Sequence, residues 1–203
     1  MRCRKFNISL NPSKSIFGIT KGNILGHIIS DSGISIDPGR IATILNLPAP
    51  TSKKEVQAFM GIINFVRRFV PDFSVMVKPI HNLLKQDHFF SWIDDVENDF
   101  IRIKKEISSA PVLAKPDFEK EFMIYTNAIE EAISAILMQG DDQGNKKPMA
   151  YMNQILSDDE FKYSFIDKHA FALAKAIEKF CHFILGKHTL VKFPLPTVNF
   201  FLS

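Results

Sequence analysis

The chain has 203 residues, 46% of them hydrophobic and 23% charged, which excludes a disordered polar tail and leaves room for one large core or two small ones. No apolar run approaches the roughly 20 residues that span a bilayer, so no membrane partner is expected. Met1-Arg2-Cys3-Arg4-Lys5 is basic but leads into Asn, Ser and Pro, so no signal peptide is expected either. Cys3 and Cys181 are far apart and lack metal-ligand spacing. They fit an intracellular, reducing setting, without a disulfide or a structural zinc. The net charge of +3 hides an asymmetry. Residues 1–92 carry 12 Lys/Arg against 5 Asp/Glu, whereas residues 93–203 carry 13 against 17. A polyanion contact is therefore expected in the front half, unless the excess lysines are only solvated surface.

In chain order, residues 14–36 alternate short apolar runs with turn signals. Strands at 14–19, 24–29 and 34–36 predict an antiparallel meander, with Gly22 and Gly33 at the turns. After Pro48 and Pro50, Ser52 and Glu55 predict a capping box. The helix that follows would bury Val56, Phe59, Met60, Ile63, Val66 and Val70 and stop at Pro71. Further helices are expected around 78–85 and over 94–108, the latter with Val96, Phe100, Ile103 and Ile107 inward. Strands at 122–126, 132–138 and 149–155 follow. A long helix is expected from 158 to 184, with Phe165, Ala172, Leu173, Ala176, Ile177 and Phe180 on its inner side, then a strand at 190–193. Strands followed by a helix and another strand make an α+β layout.

Gln57, Gly61, Asn64 and Arg68 share a stripe on the first long helix, roughly 140° from its apolar centre. A mid-helix glycine costs about 1 kcal/mol against alanine, so it asks for a reason. Close approach of a nucleic-acid groove is one, with Gln and Asn reading edges and Arg67, Arg68, Lys53 and Lys54 meeting phosphates. Packing against a neighbouring protein helix is the other.

The segments Leu25-Gly26-His27, Asp37-Pro38, Lys53-Lys54-Glu55-Val56-Gln57, Gly61, Asn64-Phe65 and Arg67-Arg68-Phe69 resemble the palm end and thumb of gypsy-type LTR retrotransposon reverse transcriptases. The likeness continues through Phe90-Ser91-Trp92 and Ala110-Pro111-Val112-Leu113. From about Phe118 the chain is similar to the RNase H-like domain of the same Pol polyproteins, through Tyr125-Thr126-Asn127-Ala128, Pro148-Met149-Ala150-Tyr151 and Leu185-Gly186. The resemblance implies a palm remnant over 1–37, a thumb over 38–86, a connection over 87–117 and a partial RNase H-like domain over 118–203. It also implies that the chain is a truncated piece of such a polyprotein, whose apolar end Phe200-Phe201-Leu202 would lack a cover. Carried over residue by residue, it makes Gly26, His27, Gln57, Gly61, Asn64, Phe65, Arg67 and Arg68 nucleic-acid contacts, with an RNA–DNA or DNA duplex as partner. No small-molecule substrate is expected.

The family's chemistry needs Mg2+ held by clustered carboxylates. A polymerase hairpin would read Tyr-x-Asp-Asp. Asp94-Asp95 and Asp158-Asp159 instead read as helix starts, Asp141-Asp142 as a turn, and the 10–14 motif as an element lying after that hairpin. The three RNase H carboxylate positions align with Asn127, His169 and Phe193. Asp167 lies ~200° around the helix from the site. Glu130 and Glu131 read as solvated turn acids. A metal shared by His169 and Cys181 is excluded by a separation of ~18 Å along the helix. The sequence therefore predicts a pseudoenzyme with no resident cofactor or metal, or alternatively a duplex-binding module that uses the thumb helix.

Overall fold

The computed structural model describes residues 17–85 and 89–193 and the isolated positions 5, 6, 9, 11 and 15. Cys3, most of the 10–14 motif, Pro194 and Phe200-Phe201-Leu202 lie outside the described residues. Strands β1 (Lys21–Ile24), β2 (His27–Ser30) and β3 (Gly33–Ile36) form an antiparallel sheet in that order. The first strand falls later than expected. Gly22 sits inside β1 opposite Ile29, and residues 17–20 form no strand. The turn is Leu25-Gly26, both with positive φ (53° and 81°), the backbone twist that suits a two-residue hairpin. Gly33 has a φ of 126°, and a Cβ there would lie 2.0 Å from the Leu113 carbonyl oxygen. The bare backbone lets Ile34 and Leu113 exchange two 2.8 Å hydrogen bonds.

Asp37 accepts a 2.9 Å hydrogen bond from the Gly39 amide and caps α1 (Pro38–Leu45), with proline at the first helical position, where no N–H is needed. At the other end the Lys104 ammonium donates to the carbonyls of Leu45, at 3.0 Å, and Leu47. Burial there pushes its pKa below the ordinary lysine value. Helix α2 (Lys53–Ile63) opens with half of the expected capping box. Ser52 accepts from the Glu55 amide at 3.3 Å, but the Glu55 carboxylate reaches Thr51, one residue too early. These hydrogen bonds from Thr51 lower the Glu55 pKa.

The α-helix does not persist to Pro71. At Asn64 the chain tightens into a 3-10 turn, Asn64–Val66. Val56, Phe59, Ile63, Val66 and Val70 are nonetheless buried, as the spacing predicts, whereas Met60, also expected inside, is half-buried. Helix α3 (Phe73–Asn82) starts earlier than 78. Asp72, in a left-handed conformation, turns the chain so that Phe73, Met76, Val77 and Ile80 can be buried. Helix α4 (Asp94–Ser108) and its four inward residues agree with expectation. One core cluster joins residues from Ile36 to Leu113, and the Phe59 and Phe100 rings lie 4.9 Å apart.

The second sheet has the order β6-β5-β4-β7. Strands β4 (Phe122–Ala128), β5 (Ala132–Gly140) and β6 (Lys146–Ile155) are antiparallel, and β7 (Thr189–Lys192) runs parallel to β4. The expected single helix is two, α5 (Asp158–Phe161) and α6 (Phe165–Ile184), each with its own serine cap, Ser157 and Ser164. The buried face of α6 is Lys168, His169, Ala172, Ala176 and Phe180. Phe165 and Ile177, expected inside, are exposed, and Leu173 is half-buried. The small residues Ala172 and Ala176 bring the helix axis close to β4 and β5, which sets the rotation.

The two cores meet at β6. Asn153 donates through Nδ2 to the Val70 carbonyl at 3.2 Å, and Arg67 donates to the Asn153 carbonyl at 3.0 Å. An ion pair between Lys78 and Glu131 adds a second tie.

Candidate nucleic-acid interface

Gln57 and Gly61 lie on α2, Asn64 opens the 3-10 turn and Arg68 follows it, so the stripe runs off the helix rather than along one cylinder. All four residues are exposed. A Cβ built on Gly61 would meet nothing within 4 Å, which removes close packing against another described segment as the glycine's reason. The side chains of Gln57, Asn64 and Arg68 make no hydrogen bond among the described residues. Lys54 is exposed, whereas the Lys53 ammonium donates to the Lys85 carbonyl at 2.6 Å.

The remaining candidates are already engaged inside the chain. The His27 ring stacks on Phe69 at 5.3 Å and meets the edge of Phe65 at 5.8 Å. Its Nε2 is buried without a partner. The Arg40 guanidinium lies 4.8 Å from the Phe65 ring centroid, and Gly26 is buried beside the Arg40 side chain. Arg67 is tied to Asn153. These four residues fasten the hairpin and the 3-10 turn to the body of the protein. Gln57, Gly61, Asn64 and Arg68 present free groups.

Of the carboxylate positions, Asn127 is exposed near the end of β4, opposite Ser134. It lines shallow cavities with Asp72, Ser134 and Asn153. His169 is 1% exposed on the sheet-facing side of α6, with Phe165 4.5 Å away and both ring nitrogens unpartnered. Burial lowers its pKa. Phe193 follows the last residue of β7 and is half-buried. Side chains alternate along β4, with Thr126 buried and Asn127 exposed, so Asn127 points away from the layer that holds His169.

This donor set does not fit Mg2+, which takes oxygen ligands in near-octahedral geometry. An exposed amide, a buried imidazole set against the Phe165 ring and a phenyl ring cannot supply clustered carboxylate oxygens. Of the nearby acids, Asp72 lines both cavities at Asn127 without a second carboxylate beside it, and two others are engaged elsewhere. Glu131 pairs with Lys78, and Asp167 accepts from the Ser164 hydroxyl at 2.6 Å. The acidic pairs lie where the sequence reading puts them, with Asp94-Asp95 and Asp158-Asp159 in first helical turns and Asp141-Asp142 at the β5–β6 turn.

Residues 92–191 match the family described as the RNase H-like domain found in reverse transcriptase. The region is an RNase H-like domain of the reverse-transcriptase kind. The chain is also 33% identical over 189 residues, 91% of its length, to the retrovirus-related Pol polyprotein from transposon 297 of Drosophila melanogaster. It is 33% identical over 94% of its length to the corresponding polyprotein from transposon 412, and 29% identical over 90% to the Tf2-3 polyprotein of Schizosaccharomyces pombe. It spans about a sixth of the length of these relatives, 17%, 15% and 14% respectively. Among solved structures it is similar to foamy viral protease-reverse transcriptase in complex with RNA/DNA hybrid (TM-score 0.72, 25% identity, 87% of this chain and 24% of that one). A second foamy viral protease-reverse transcriptase, in complex with double-stranded DNA, gives a TM-score of 0.71 at 25% identity over 86% of this chain and 31% of that one. The likeness crosses both cores, so the RNase H-like domain and the helices before it form one reverse-transcriptase-like region.

One group of candidates was not singled out from the sequence. Lys175, Lys179 and His182, at helical spacing on α6, face Arg67 and Arg68 across a cleft of about 630 Å³. The spacing was legible, but the element opposite it was not.

Proposed function

We propose that this region of a gypsy-type Pol polyprotein, with a palm-end hairpin, a thumb and a connection ahead of its RNase H-like domain, does not hydrolyse RNA. The carrying observation is the set Asn127, His169 and Phe193. One is an exposed amide, one a buried imidazole and one a hydrocarbon ring, where metal-assisted hydrolysis needs carboxylates. The ancestral role is RNA-directed DNA synthesis and removal of the RNA strand. The test is incubation of the purified chain with a labelled RNA–DNA hybrid and Mg2+. Intact RNA is expected. Magnesium-dependent cleavage that is lost in Asn127→Ala or Asp167→Ala overturns the reading.

A second reading, retained duplex binding, is favoured by the open stripe. The unfilled space over Gly61, flanked by the unpartnered Gln57 and Asn64, suits the edge of a groove, with Arg68 meeting a phosphate. The foamy viral neighbours were solved with duplexes bound, which supports the same direction. Filter binding against salt tests it. A log–log slope implying several phosphate contacts is expected, and flat, weak binding overturns it.

A further inference from the structure

Two adjacent residues, Leu113 and Ala114, join sheets that belong to different cores. The Leu113 side chain is buried in the first core, and Ala114 packs against the second. Neighbouring residues of an extended chain aim their main-chain groups to opposite sides, so each can pair with a different strand. Leu113 exchanges both of its main-chain groups with Ile34 of β3, at 2.8 Å each. The Ala114 amide donates the other way, to the Pro148 carbonyl of β6 at 2.7 Å. Pro148 has no N–H, so its carbonyl is the one main-chain group it can offer. The hydrogen-bonded order is therefore β1-β2-β3, then residues 113–114, then β6-β5-β4-β7, a continuous array across both cores.

The other ties between the cores restrain them less. The Lys78–Glu131 ion pair is half open to solvent, where such a pair contributes little. Arg67 and Asn153 supply two side-chain hydrogen bonds at one point of β6. Beside residues 113–114, a cavity of about 570 Å³ lies between Ile29 and Ile34 of the hairpin sheet and Met149 and Phe183 of the second core. Apolar packing therefore does not weld the cores there. Three short main-chain hydrogen bonds do, and the bare backbone of Gly33 is what lets Leu113 come close enough to make two of them.

We propose that residues 113–114 are a strap that makes the two cores one cooperative unit. Strain at the Leu25-Gly26 turn is then carried into the RNase H-like sheet rather than absorbed at a hinge between the cores. Native probes stand on either side of the strap. Trp92, the single tryptophan, packs against the first core. Tyr125 lies on β4 and Tyr163 against Phe171 of α6, with Tyr151 at the junction. Urea unfolding of the full chain is followed by Trp92 fluorescence and by tyrosine absorbance. The wild type is compared with Ala114→Pro, which removes the amide that donates to Pro148.

The wild type should give coincident midpoints for the two probes, and Ala114→Pro should pull them apart. A purely local loss of stability would move both together. Separate midpoints in the wild type overturn the proposal, because the cores are then independent. Coincident midpoints in a folded Ala114→Pro also overturn it and leave the coupling with Arg67 and Asn153. If Ala114→Pro does not fold, hydrogen exchange of the wild type decides. Exchange of the Ala114 amide within about tenfold of the Ile103 and Ile124 amides supports the strap, and faster exchange overturns it.

Discussion

His169 is the residue at which the proposed loss of catalysis and the stability of the fold meet. An imidazole with neither nitrogen paired, 1% exposed, carries a desolvation cost that a hydrocarbon would not. His169→Leu is predicted to stabilise the chain by about 1–3 kcal/mol at neutral pH, read by urea unfolding. A loss of stability instead would show that the ring has partners. The pH dependence follows from the lowered pKa. The folded state resists protonation, so the unfolded chain binds more protons below its own value of about 6.5. Stability from this group is therefore complete above that value and falls as pH drops through the window below it. His169→Leu should flatten that fall. Gly33 offers a sharper test, because its positive φ and the Leu113 carbonyl both oppose a side chain. Gly33→Ala is predicted to cost more than about 2 kcal/mol.

At the scale of elements, the ends of helices are held by partners that local sequence cannot name. Lys104 closes the C-terminus of α1 from a helix placed far along the chain. Lys104→Met should keep the hydrocarbon stem but leave two carbonyls unsatisfied, lowering stability by about 1–2 kcal/mol in chemical denaturation. An unchanged midpoint would mean that solvent replaces the ammonium without cost. Helix α4 was legible because Val96, Phe100, Ile103 and Ile107 repeat at helical spacing and Asp94, Asp95 and Glu97 mark its first turn. The conversion of α2 into a 3-10 turn at Asn64 was not, because the same apolar spacing satisfies both geometries over one turn. The first hairpin was misplaced for a related reason. In sequence Gly22 reads as the turn residue and Gly26 as strand interior, and only the pairing of Ile24 with His27 reverses the two.

For the molecule as a whole, the α+β architecture and the β4–β5–β6 meander could be read before any coordinates. The docking of one core on the other could not, since it depends on Arg67, Asn153 and Val70 meeting across β6. The same docking brings Lys175 and Lys179 opposite Arg67 and Arg68, a juxtaposition of back-half and front-half cations that charge counting cannot show. In the reading proposed above, a reverse-transcriptase-like body keeps a surface suited to a duplex, while the positions of Asn127, His169 and Phe193 offer no seat for a divalent ion.

That seat is most directly tested with Mn2+, which takes the same oxygen ligands as Mg2+ and broadens the magnetic resonance signals of nearby nuclei. In a titration of the isotopically labelled chain to millimolar metal, the amides of Thr126, Asn127 and His169 are predicted to broaden no more than those of exposed acidic turns. Selective, saturable broadening centred on those three residues would contradict the account.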